Sequence, residues 1–330
     1  MANLADRPVF FLGVNTGFVR GGLPDARFVE FYARRSSPRL RCAIVGNVVV
    51  PGGYGSNAVT PSITSDAIWG KVASAITGGG SHAGIQLATA WEDYVGSRSF
   101  VGAAPTDVIT SGRRLVSTMT PTDISKLLNG FDAAADLAMG HGFRHVQLHA
   151  AHGYLLSLLI DSRINPGAGF VLSWLWSFAE RLAQAGIETS IRISLKTGEP
   201  IFDAEGKASF QDTISRLPFT YIDLSSGFYN IDKRLIYPAR PQVLAQRREE
   251  SVAVALRHPQ RLFILSGRAL SHDWRGLPQN MHLGICRDLI ANPDVLSDPR
   301  NGCENHGKCH YFSRGESHLT CARWKSLGLR

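Results

Sequence analysis

Two histidines and a tyrosine stand close together in the run His149-Ala-Ala-His152-Gly-Tyr154. Two imidazoles can both donate hydrogen bonds to one developing oxyanion. A phenol beside them is a candidate proton donor to a neighbouring carbon. The same residues could instead be a structural histidine pair with a packing tyrosine. A zinc site is a third reading, although no carboxylate partner lies close in sequence. A second set is basic: Ser266-Gly267-Arg268 and Cys286-Arg287 could hold an anion with guanidinium groups and closely approached backbone N–H groups. A third set, Cys303-x2-His306-x2-Cys309-x11-Cys321, offers three thiolates and an imidazole to zinc, with His310 and His318 as further donors. Reduced thiols without a metal are the alternative.

The elements that must position these side chains alternate in type. Strand-like runs fall at Val9–Val14, Arg41–Val50, His82–Leu87, Phe143–His149, Thr189–Ser194, Tyr221–Ser225, Leu262–Ser266 and Met281–Cys286. Several are almost continuously apolar, as parallel strands covered on both faces should be. Helical spacing separates most of them, at Leu23–Arg35, Ser65–Thr77, Pro121–Gly140 and Gln242–Leu256. The helix from Pro121 is the clearest. Thr120 suits the N-cap, Pro121 the first helical position and Asp123 the first turn, before a stripe of Ile124, Leu127, Leu128, Phe131, Ala135 and Ala138. Eight strands with intervening helices predict an α/β (β/α)8 TIM barrel over residues 1–300, with a short C-terminal Cys/His-containing extension over 301–330. A doubly wound sheet is the runner-up, but no Gly-x-Gly-x-x-Gly turn follows the first strand. A barrel carries its chemistry at the C-terminal ends of its strands. That rule gathers Thr16, Gln86, His149, His152, Tyr154, Arg192, Gly267, Arg268 and Arg287 on one rim, where each could otherwise cap a helix or pair with a neighbour.

Composition narrows the classes. Over 330 residues, 44% are hydrophobic and 19% charged, the balance of an ordered chain with a sizeable core. The net charge of +8 favours anionic ligands, but the basic residues are scattered, which argues against nucleic acid. No uncharged apolar run reaches the roughly 18 residues of a membrane span. The first residues, Met1 to Pro8, show no secretory signal pattern, and five cysteines make a disulfide scaffold improbable, so a reducing cytoplasm is expected.

The segment Gly142-Phe-Arg-His-Val-Gln-Leu-His149-Ala-Ala-His152-Gly-Tyr154 resembles the strand-four motif of the old yellow enzyme family of FMN-dependent oxidoreductases. Leu12-Gly-Val-Asn-Thr16, Ala43-Ile-Val-Gly-Asn-Val48, Ile85-Gln86-Leu, Ile191-Arg192-Ile, Ser266-Gly-Arg268 and Cys286-Arg287 extend the likeness over most of the chain. The resemblance implies a barrel holding FMN, with NAD(P)H as electron donor and a small-molecule substrate. Thr16 would then modulate the flavin's carbonyl edge, and Gln86 and Arg192 would bond its pyrimidine side. Gly267, Arg268 and Arg287 would hold its phosphate. His149 and His152 would grip the substrate's carbonyl or phenolate oxygen, and Tyr154 would protonate the α-carbon. The implied activity is reduction, or in reverse formation, of a C=C bond conjugated to a carbonyl.

Departures from the family pattern fall in the walls above the flavin. Asp161-Ser-Arg-Ile-Asn165-Pro-Gly-Ala-Gly169 runs almost directly into a Trp-rich helix with Trp174 and Trp176, Thr89-Ala-Trp91-Glu92 follows the third strand, and Cys286 replaces a usual glycine. They suggest a specialised substrate. Cys303, His306, Cys309 and Cys321 are similar to the four-cysteine segment of the dienoyl-CoA reductase and trimethylamine dehydrogenase subgroup, which implies a [4Fe–4S] cluster or a zinc ion. The resemblance leaves two other functions open: a flavin/iron–sulfur dehydrogenase acting on an amine or related substrate, and a barrel that binds a flavin or metabolite without catalysis. A second copy of the chain is the remaining candidate partner.

Overall fold

The computed structural model describes residues 7–94, 103–271 and 274–329. Its centre is a closed barrel of eight parallel strands: β1 (Val9–Phe11), β2 (Cys42–Val49), β3 (His82–Ala88), β4 (His145–Ala150), β5 (Glu188–Ser194), β6 (Tyr221–Ser225), β7 (Leu262–Leu265) and β8 (Met281–Ile285). Each strand pairs with its sequence neighbours, and β1 closes the ring by pairing with both β2 and β8. The (β/α)8 TIM-barrel expectation holds.

Side chains alternate between the two sides of each strand. Outward-pointing Ile85, Val146, Leu148, Ile191, Ile193, Ile222 and Leu224 join the main core, which packs the strands against the surrounding helices. Inward-pointing Phe10, Leu12, Cys42, Ile44, Tyr221 and Ile264 form a separate apolar plug. Farther along the strands the interior becomes polar. The register sets Gln86 opposite Gln147, His149 opposite Arg192, and Arg192 opposite Asp223.

The helix Pro121–Gly140 forms at the expected residues. Thr120 Oγ1 accepts from Asp123 N at 3.2 Å and Asp123 Oδ2 accepts from Thr120 N at 3.0 Å, a reciprocal cap. Gly130 lets this helix approach the end of β2: a Cβ there would stand 2.6 Å from Pro51 O. The first helix starts later than its apolar spacing suggests, at Ala26, because Asp25 caps it. Leu23–Pro24 is instead half of a small antiparallel hairpin with Val19–Arg20. β1 is also shorter than expected. Its chain leaves the ladder near Gly13, where a Cβ would stand only 3.2 Å from Gln86 Oε1.

Residues 301–329 fold back over the top of the barrel. Tyr311 and Leu319 belong to the same core cluster as the strands. Leu319 N donates to Thr16 O at 2.8 Å, and Trp324 Nε1 donates to Ile290 O at 2.7 Å. No helix among the described residues is long and apolar enough to cross a membrane.

Candidate functional site

A cavity of about 540 Å³ opens at the C-terminal ends of the strands. That volume lies within the roughly 300–1,000 Å³ of small-molecule and cofactor sites. Gln86, His149, His152, Tyr154, Arg192, Gly267, Arg268 and Arg287 all line it. They come from five strands or the loops that follow them, so barrel closure rather than sequence proximity brings them together.

His149 ends the inward row of β4. Its ring lies 5.0 Å from that of His152 and 4.7 Å from that of Tyr154, centroid to centroid. The chain turns between them because His152 and Gly153 both adopt positive φ, 65° and 81°. The strained turn is held by His152 N donating to Ser194 Oγ at 2.9 Å. Burial, then the Arg192 guanidinium, holds His149 well below the ordinary imidazole value. Burial, then His149 and Arg192, does the same to His152. Both rings are therefore neutral at pH 7, each with one N–H to donate. His149 Nδ1 is buried with no partner. His152 Nε2 lies 2.7 Å from Ser225 Oγ. Burial, then Tyr229, raises the Tyr154 phenol, although Ser56 and Asn47 bond its hydroxyl and pull the other way. Tyr154 stays protonated throughout the neutral range.

Below this layer lies a buried polar network. Gln86 Nε2 donates to Gln147 Oε1 at 2.5 Å, and Gln147 Nε2 donates to Asp223 Oδ2 at 3.3 Å. Arg192 forms an ion pair with Asp223 and donates through Nη2 to Ser225 Oγ at 3.3 Å. Across the cavity, Arg287 Nη2 donates to Pro238 O at 2.6 Å and Arg268 Nη2 to Cys303 O at 2.9 Å. No Asp or Glu side chain is among the cavity-lining residues described.

Several expectations need correction. Thr16 does not line the cavity; its hydroxyl accepts from Phe18 N at 3.2 Å within its own turn. Gly13, Val14 and Asn15 face the cavity in its place. The proposed metal ligands Cys303, His306, Cys309 and Cys321 are not arranged as a metal site, although the three thiols lie near enough to act on one another electrostatically. Among the described residues, no group of three or more His, Cys, Asp or Glu side chains is arranged to hold a metal. His306 Nε2 turns outward to Glu304 Oε2 at 2.9 Å, whereas Cys309 lines the cavity. Burial, then Cys303, pushes the Cys309 thiol up to about 11. The tryptophans expected to shape the walls lie elsewhere: Trp174 packs on Phe131 and donates to Asp132 Oδ2 at 2.9 Å, and Trp176 is exposed.

The walls come from residues that the sequence reading passed over. Tyr94, Tyr229, Tyr237, Asn47 and Tyr311 all line the cavity. Asn47 had a legible signal, because Gly46-Asn47 interrupts an apolar strand and marks the irregularity seen in the β2–β3 register. Tyr229 and Tyr237 lie 4 and 12 residues beyond Ser225, the end of β6, in the segment that follows the strand rather than at its end. Tyr311 had no local signal; its hydroxyl donates to Asn15 Oδ1 across the fold at 2.9 Å.

Comparison with known proteins agrees with this geometry. Residues 18–167 match the model of the NADH:flavin oxidoreductase / NADH oxidase family. 12-oxophytodienoate reductase 7 of Oryza sativa subsp. japonica is 29% identical, over 44% of this chain and 41% of the relative. NADH-dependent flavin oxidoreductase nadA of Aspergillus parasiticus is 23% identical, over 44% of this chain and 36% of the relative. NADH-dependent flavin oxidoreductase iccE of Talaromyces variabilis is 49% identical, over 14% of this chain and 11% of the relative. The chain thus matches less than half the length of each of these relatives. With the closed barrel, these matches make the chain similar to the NADH:flavin oxidoreductase / NADH oxidase family over residues 18–167.

Proposed function

We propose that the cavity holds FMN and that the protein adds hydrogen to, or removes it from, a C=C bond conjugated to a carbonyl, with NADH or NADPH as electron source. FMN, when bound, supplies hydride transfer at its ring. The residues fit the group. Gly267, Arg268 and Arg287 offer close backbone approach and two cations to a phosphate at one end of the cavity, and Arg287 makes no ion pair among the described residues. Gln86 and Arg192 offer donors toward its middle.

The chain's own residues then divide the work. Arg192 donates to Ser225 Oγ, leaving the Ser225 hydrogen free to point at His152 Nε2. That bond sets the tautomer with the proton on His152 Nδ1. His149 and His152 together donate to the substrate's carbonyl oxygen and stabilise the negative charge it gains. Burial keeps both rings neutral, so they act as hydrogen-bond donors rather than acids. Tyr154, protonated and in contact with His149, delivers the proton to the α-carbon. The observation that carries this reading is the unpartnered, buried His149 Nδ1 beside His152 and Tyr154 in one cavity with Arg268 and Arg287.

The test is direct. Purified protein mixed with FMN should quench its fluorescence, and the complex, reduced without oxygen by NADH or NADPH, should be reoxidised by a simple cyclic enone. Tyr154→Phe should lower turnover by about 10²-fold or more while changing substrate affinity only a few-fold. Failure to bind FMN, or a reduced complex that no enone reoxidises, sinks the proposal. Full turnover in Tyr154→Phe removes that residue's role.

A further inference from the structure

Arg247 is the one guanidinium of the phosphate end that the sequence pattern did not single out. It projects from the helix Pro241–Arg257, is only 3% exposed, and does not line the cavity. Its Nη1 donates to Ser266 O at 3.4 Å and its Nη2 to Leu235 O. A Cβ on Gly267 would stand 3.3 Å from Nη1, so the charge lies directly behind the Ser266-Gly267-Arg268 turn.

Arg247 makes no ion pair among the described residues, only bonds to neutral carbonyls. The two nearest carboxylates are engaged elsewhere: Asp223 pairs with Arg192, and Glu250 Oε1 accepts from Lys196 Nζ at 2.8 Å. Burial, then Arg192, brings the Arg247 guanidinium down to about 9; Glu250 and Asp223 pull the other way from a distance, and Arg287 adds to the repulsion. A buried, unpaired cation is costly, and an anion arriving nearby offsets that cost.

We propose that Arg247 is a positioning residue for the anionic tail of the cofactor: it braces the carbonyl side of the Ser266–Arg268 turn so that the turn's N–H groups face the cavity, and its buried charge selects a phosphorylated flavin over an unphosphorylated one. The inference rests on the FMN reading above. A dianion in front of Gly267 meets Arg268 and Arg287 from its own side and the field of the buried Arg247 from behind the turn's backbone. The interaction is therefore screened less than one between exposed charges.

The experiment compares FMN with riboflavin, which share the ring and differ in the phosphate. Dissociation constants for both are measured by fluorescence quenching on the full chain. The wild type should prefer FMN; binding of neither flavin sinks the flavin reading itself, and equal binding of both overturns the phosphate selection proposed here. Arg247→Gln and Arg247→Met should lower the FMN-to-riboflavin affinity ratio by about tenfold or more, chiefly by weakening FMN. Arg247→Lys, which keeps the charge but not the fork, should hold the ratio within about threefold of wild type. Equal losses for both flavins in the neutral variants would make Arg247 merely structural and overturn the proposal. Should the neutral variants fail to fold, the lysine variant decides: a preserved ratio supports the charge role, and a collapsed ratio overturns it.

Discussion

At the scale of single residues, the site works through groups held away from their ordinary protonation. His149 and His152 are kept neutral by burial and by Arg192. His282, elsewhere in the fold, and His310, on the cavity wall, are brought down to about 4, mainly by burial. All four share one linkage sign. Their ordinary value is 6.5, so as pH falls below it the unfolded chain takes up protons that the native rings refuse. Stability is therefore complete above about pH 6.5 and declines toward pH 4. Glu188 enters only at lower pH. Burial alone would raise its carboxyl, but His145 and Arg41 bring it down to about 2 from 4.5, so its contribution is lost as pH falls below 4.5. Urea unfolding at pH 7.5, 6.0 and 5.0 should show a falling midpoint, and His282→Phe should flatten the slope. A midpoint unchanged over this range would contradict the neutral buried state of these rings.

At the scale of elements, the helices and strands were legible where local signals agreed. Pro121–Gly140 carried a cap, a proline and an apolar stripe, and all three describe the same helix. The alternating apolar and polar residues of His145–Ala150 fixed which side chains reach the interior. Thr16 was misplaced because a strand-end position does not specify which way a turn aims its side chain. There the hydroxyl satisfies a local backbone N–H instead of the cavity. The close approach at Gly130 was also invisible, since its partner, Pro51, belongs to another element. Gly130→Ala should cost about 1–3 kcal/mol, because the new methyl would meet a backbone oxygen that cannot move alone. Chemical denaturation measures this, and a cost below about 0.5 kcal/mol would show that the helix can shift away.

At the scale of the whole molecule, the cavity is completed by chain from both ends of the sequence. The strand-end histidines, arginines and glutamine could be gathered from sequence because the barrel rule places strand ends together. The far wall could not, since nothing near Tyr311 or Leu319 indicates that they meet the turn at Asn15 and Thr16. For the same reason the cysteine spacing misled: spacing reports possible ligation, whereas the fold aims His306 and Cys309 in different directions. Leu319 is fully buried in the barrel's own core cluster. Leu319→Ala should therefore destabilise the entire protein by about 2–5 kcal/mol in one cooperative transition. Exposed Lys325→Ala should change stability by less than about 0.5 kcal/mol. A separate early transition in Leu319→Ala would mean that residues 301–329 unfold on their own.

The plug of Phe10, Cys42, Ile44, Tyr221 and Ile264 stops the barrel axis at its base. It closes the cavity toward the base, so whatever enters from the top cannot leave along the barrel axis. Two molecules too large to fit side by side would have to visit in turn, so the departure of the first sets when the second can arrive.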